Sequence, residues 1–125
     1  MSLRSRVLKG AALAVVMSVP ALAYADTDGA VGSVASVSIN EPSADDYGTE
    51  RGNIIVNEGS ANRKYQWGGT ACSGRNLSDA SIALLVDAMR NKDTVQILPS
   101  YKPGTSQARC LVGFRLATVS QGVAQ

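Results

Sequence analysis

Two stretches of the chain hold residue types that could do chemistry. The first is GTACSGRN, residues 69–76, which follows a strand-like stretch and precedes a helix-like one, as a phosphate-binding loop does. Such a loop needs a Lys to reach the phosphates and a Ser or Thr hydroxyl for a magnesium ion. Those slots hold Arg75 and Asn76, so the sequence points away from nucleotide. The second is ADDYGTE, residues 44–50, whose Asp45, Asp46 and Glu50 offer carboxylates for acid–base work or for a weak calcium site. A calcium loop spaces several oxygen ligands around a turn glycine, and this segment does not match that pattern. A solvated acidic loop is the expectation.

What is missing narrows the chemistry further. The chain has no histidine, which removes Ser-His and Cys-His nucleophilic catalysis and the commonest transition-metal ligand. Cys72 and Cys110 are the only cysteines. If bridged they cannot hold zinc, and no metal or cofactor is expected.

The N-terminus bears on whether they are bridged. MSLRSRVLKG carries Arg4, Arg6 and Lys9, the apolar run AALAVVMSVPALA follows, and Ala23-Tyr24-Ala25 sets small residues at cleavage spacing. This predicts a signal peptide over residues 1–25, and the run is shorter than the roughly 20 residues of a membrane span. Export to the periplasm or beyond makes a Cys72–Cys110 disulfide the expected state, which also ties the GTACSGRN loop to a distant strand. Residues 26–125 then form one small domain with frayed ends. Of twelve basic residues three leave with the signal, so nine remain against ten acids. The acids gather before Arg51, and the body from Arg51 onward has nine bases against four acids.

The elements that position these groups follow from periodicity. Ala35, Val37 and Ile39 alternate with polar residues, predicting a strand with those three inward. EPSADDYGTERG is a long loop, NIIVN (53–57) a second strand, and Arg63–Trp67 a third, with Tyr65 and Trp67 on one face. That pair forms either core or a stacking platform, and with a single Phe in the chain core is favoured. Ile82, Leu85, Val86 and Met89 mark one stripe of a helix, with Ser78 as N-cap and Leu77 with Ile82 as a hydrophobic staple. Thr94–Leu98 reads as a fourth strand halted by Pro99. PSYKPGTSQ reads as a second long loop, and the fifth strand sets Cys110, Val112, Phe114 and Leu116 on one face.

Three strands, one helix and two strands is the element order of a five-stranded OB-like barrel, so the expected class is mainly β with one helix and one disulfide. WGGTAC (67–72), SIALLVDAM (81–89), DTVQIL (93–98) and RCLVGF (109–114) carry a resemblance. The chain resembles small secreted proteins of Gram-negative bacteria, and its layout is similar to that of the OB-type B subunits of AB5 toxins. That likeness implies a homo-oligomer, a pentamer, that binds host glycans. No sugar-site signature matches position by position, so no site residue is carried over.

The functional expectation is a non-enzymatic binding module for a glycan or protein ligand. The alternative is an inhibitor or immunity protein that occludes an envelope-directed enzyme, and a carboxylate-dependent hydrolase ranks third. In an OB-fold the first-to-second and fourth-to-fifth strand loops flank the ligand face. This singles out Asp45, Asp46 and Tyr47 on one loop and Tyr101 and Lys102 on the other, unless both loops are merely solvated.

Overall fold

The computed structural model describes residues 25–120; the expected signal peptide and the last five residues lie outside the described residues, save for Ala25. Six strands and one principal helix run in the order β1 (Thr27–Asp28), β2 (Ser33–Ile39), β3 (Gly52–Asn57), β4 (Asn62–Trp67), α1 (Asp79–Arg90), β5 (Val95–Pro103) and β6 (Arg109–Thr118). They form one sheet in the order β1-β5-β6-β4-β3-β2. All neighbours are antiparallel except β4 and β6, which meet in parallel at the single pair Gln66–Cys110.

The molecule is therefore mainly β with one helix, but it has six strands rather than a closed five-stranded barrel. The expected first strand is longer than its apolar alternation and is split. The DTDG segment, expected to fray, pairs Thr27 with Tyr101 and Asp28 with Ser100. Gly32 alone then bridges to Ile97, with N–O distances of 3.0 and 2.8 Å. Between them the Gly29 N–H reaches the Pro99 carbonyl at 2.8 Å, but proline has no N–H to complete the pair. The ladder is thin where that proline faces the first strand.

Pro99 also does not halt β5, as the sequence suggested. It sits inside the strand, paired with Phe114. The missing donor is tolerated there because the Pro99 side of β5 carries only an interrupted ladder.

Two bulges change which residues face inward. On β2 the register shifts between Val34 and Ser36, so Ala35 is the extra residue. Val34 and Val37 consequently face Val56 and Ile54, and Ala35 turns outward; Ile39 shares the face of Val37 but, at the end of this edge strand opposite Gly52, is 46% exposed. On β5–β6 the register shifts between Ser100 and Tyr101, leaving Val112 unpaired. A bulge inverts the alternation beyond it, which explains why Leu111 joins the main core while Cys110 does not share a face with Phe114.

The core comprises Val34, Ile54, Val56, Tyr65, Trp67, Leu85, Ala88, Ile97 and Leu111. Tyr65 and Trp67 are thus core, as favoured. The helix closes over it by the expected signals. The Ser78 hydroxyl accepts from the Ser81 N–H at 3.1 Å, Asp79 occupies the first turn and Arg90 the last. Its buried line runs through Leu85 and Ala88, slightly rotated from the predicted stripe, and Leu77, Ile82 and Met89 pack beside the core.

Cys72 and Cys110 form the disulfide, with Cα atoms 5.6 Å apart, in a small satellite core with Ala71 and Ala108. Closing this 38-residue separation stabilises by about 4 kcal/mol in the chain-entropy view.

Candidate functional site

The GTACSGRN turn spends its backbone on the protein itself. The N–H groups of Thr70 and Ala71 reach the carbonyls of Gly48 and Thr49, both at 2.9 Å, and Cys72 and Arg75 donate to Gly68 and Cys72. The Arg75 guanidinium donates to the Pro103 carbonyl at 2.9 Å. A phosphate cradle requires converging free N–H groups, and here these donors are committed.

That same turn borders a groove of mixed polar and apolar lining. Pairing of Gly52 with Trp67 sets Arg51 beside Gly68, and the Arg51 N–H reaches the Trp67 carbonyl at 2.8 Å. Gly68 has φ +71°, and a Cβ there would stand 2.3 Å from Arg51 Cγ and 2.4 Å from Asn76 Oδ1. Only glycine both adopts this conformation and leaves room for the arginine stem. Gly69 is pressed as closely on the Thr49 backbone, where a Cβ would lie 2.3 Å from the carbonyl oxygen.

Arg51 is then fixed from the other side by Tyr47. Its guanidinium carbon lies 3.9 Å from the ring centroid, Nε donates to the Tyr47 carbonyl at 3.0 Å, and Nη1 donates to the Tyr47 hydroxyl at 2.8 Å. Among the described residues Arg51 has no acidic partner within ion-pair distance. The groove beside it, about 360 Å³, has Ile39, Trp67 and Ile82 as apolar lining, with Asn40, Asn76 and Glu41 as polar lining.

No family model, curated protein or solved structure matches the chain.

The candidate residues divide. Tyr47 is at the groove. Asp45 and Asp46 are exposed, and the Asp46 carbonyl accepts from Thr49 and Glu50 in the turn that shapes the loop. Tyr101 and Lys102 do not occupy a loop, because β5 extends to Pro103. Tyr101 packs on Tyr65 with ring centroids 5.7 Å apart, Arg109 lies 5.0 Å from its ring, and Lys102 pairs with Asp26 at 3.5 Å. Among the described residues no hydrogen bond, ion pair or ring contact joins Tyr47 to Tyr101.

Glu50 separates from the two aspartates altogether. It is 7% exposed and accepts from Gln66 Nε2, from Asn53 Nδ2 at 2.7 Å and from Lys64 Nζ at 3.2 Å. Burial pushes its pKa up, but the hydrogen bonds from Gln66, Asn53 and Lys64 and the lysine charge outweigh it, so the carboxyl sits below its ordinary value. Such a group anchors the loop; a general acid needs the opposite shift. Among the described residues no group of three or more metal-ligating side chains gathers.

Sequence reasoning missed Arg51, Asn40 and Asn76. The Gly68-Gly69 pair was the available signal, since adjacent glycines mark a close backbone approach. What approaches them depends on the β3–β4 register, which spacing alone does not supply.

Proposed function

We propose that the chain is an exported, non-enzymatic binding module built on an OB-type plan, with its glycan or protein ligand held in the groove between the 40–51 loop and the start of α1. The strand neighbours β2-β3-β4-β6-β5, with the Gly32–Ile97 bridge leading back toward β2, support the OB-type reading. The disulfide fits an oxidising compartment, and no helix among the described residues is long and apolar enough to cross a membrane.

The observation that carries the binding reading is Arg51. A guanidinium without an acidic partner, held in place by Tyr47 at the rim of a groove, is preorganised for a ligand. Preorganisation lowers the ordering cost of binding. The carboxylates do not favour catalysis, since Glu50 is held ionised and Asp45 and Asp46 are exposed.

The test is a glycan array and an envelope-extract pull-down, with the wild-type chain beside Tyr47→Ala. The reading expects the captured ligand to be lost while the thermal midpoint falls by no more than a few degrees. Retention by the variant would place the ligand elsewhere. Capture of one enzyme whose activity falls on binding would turn the module into an inhibitor, and size-exclusion would show whether copies assemble as the toxin-subunit resemblance implies.

A further inference from the structure

We propose that the groove selects an acidic saccharide, with a sugar carboxylate on the Arg51 guanidinium and the ring among Tyr47, Ile39 and the two asparagines; this rests on the groove being the ligand site. Three features favour that class.

First, Arg51 uses Nε and Nη1 on Tyr47, and among the described residues its Nη2 makes no hydrogen bond. A planar carboxylate is the natural partner for guanidinium N–H groups. Among the lining residues Arg51 is the one cation and Glu41 the one acid, so selection for an anion rests on the direct guanidinium contact.

Second, the lining suits a ring with apolar faces and a polar edge. Tyr47 and Ile39 supply apolar area, and the Asn76 side chain makes no hydrogen bond among the described residues. Asn40 donates to the Glu50 carbonyl at 2.9 Å, which fixes its amide. The volume of about 360 Å³ falls within the roughly 300–1,000 Å³ of small-ligand clefts.

Third, the backbone at the loop end of the groove is already paired, which leaves an extended acidic peptide only the outer edge of β2 to join. Along this side Asn40 N–H already donates to Arg51, Arg51 N–H to Trp67 and Gly68 N–H to Arg75. Strand addition needs an unpaired edge.

The experiment titrates the purified chain with oligogalacturonate, with its methyl ester and with a glutamate oligopeptide of equal charge, followed by amide and indole NMR shifts. The proposal expects oligogalacturonate to shift the Asn40 and Asn76 side-chain amides and the Trp67 indole, while ester and peptide do not. Arg51→Gln should weaken it about ten- to hundred-fold, the scale of a lost charge-assisted contact. Because Arg51 also holds Tyr47, Asn76→Ala serves as the second variant; it should weaken binding several-fold with the midpoint unchanged. Equal binding of acid and ester at these residues would overturn the acid preference and keep the groove as a site. Equal binding of the peptide would reduce the effect to charge. No shift at the groove with any of the three would overturn the saccharide, and the pull-down with Tyr47→Ala would then decide the groove by itself.

Discussion

The 40–51 loop and the 99–108 segment look alike in sequence, each polar, each holding Pro, Gly and one tyrosine, yet they end as different kinds of structure. The first has no strand partner for most of its length. It is shaped by short turns, from Ala44 to Glu41 and from Tyr47 to Ala44, and buttressed by the 68–72 turn. Its tyrosine is partly buried beneath Arg51 and does not join the core. The second finds β6 along one side and β1 along the other, so it becomes strand as far as Pro103, and its tyrosine packs against Tyr65. A tyrosine in a Pro-Gly segment is thus available or consumed according to whether a neighbouring edge can pair with its backbone.

The strongest way to break the contrast is to cut the tie that the two regions share. The disulfide holds the 68–72 turn, which in turn supports the 40–51 loop, to the start of β6. Replacing Cys72 and Cys110 by alanine should cost about 2–5 kcal/mol, as in small secreted domains. Urea unfolding of the oxidised wild type and the variant measures it, and equal midpoints would show that the bridge adds nothing.

Next is the pair of tyrosines itself. Tyr101→Ala removes a half-buried ring from Tyr65 and the Arg109 stack. It should cost about 2–3 kcal/mol, below the 3–5 kcal/mol of a fully buried aromatic. Tyr47→Ala should cost under about 1 kcal/mol, mainly its contact with Arg51. Thermal melts of both check the ordering, and a reversed order would contradict the division into consumed and available residues.

Gly68→Ala sharpens the first region alone. A positive φ combined with contacts of 2.3 Å to Arg51 Cγ and 2.4 Å to Asn76 Oδ1 should cost about 1–3 kcal/mol. Arg51 should also be displaced, seen as loss of its defined side-chain NMR signals against Tyr47. A variant of wild-type stability would show that the close approach is not required.

How far these features were legible depended on whether they were local. Ser78 as cap, Leu85 in the helix stripe and Tyr65 with Trp67 inward follow from spacing within one element, and each stands as expected. The bulges at Ala35 and Val112 are not local, because an extra residue is defined only against a partner strand. They replaced Ala35 by Val34 in the expected inward set and parted Cys110 from Phe114. The continuation of β5 through Pro99 failed for the same reason: the cost of a missing N–H depends on what lies across from it. Tyr47 could be named from its loop, whereas Arg51 acquires its role only when Gly52 pairs with Trp67.

The smallest expected effect concerns acid and tests whether Glu50 holds the first region in place. Its folded pKa is depressed because Gln66, Asn53 and Lys64 stabilise the ionised carboxylate more than burial penalises it. The folded state therefore binds fewer protons than the unfolded chain between the two pKa values. The stabilisation is complete above the ordinary glutamate range and is lost as pH falls through the depressed value. Glu50→Gln should remove this contribution, so that the difference in midpoint between wild type and variant stays constant from neutral pH down to the ordinary glutamate range and shrinks only below it. Since the Glu50 N–H and carbonyl also hold Asp46 and Asn40, the amide signals of residues 44–50 should shift over that acid window, while Tyr101 in β5 should not follow. A midpoint difference independent of pH would mean that the carboxylate contributes packing alone. A response of Tyr101 equal to that of Tyr47 would mean that acid loosens both regions together and that the two are not separate units.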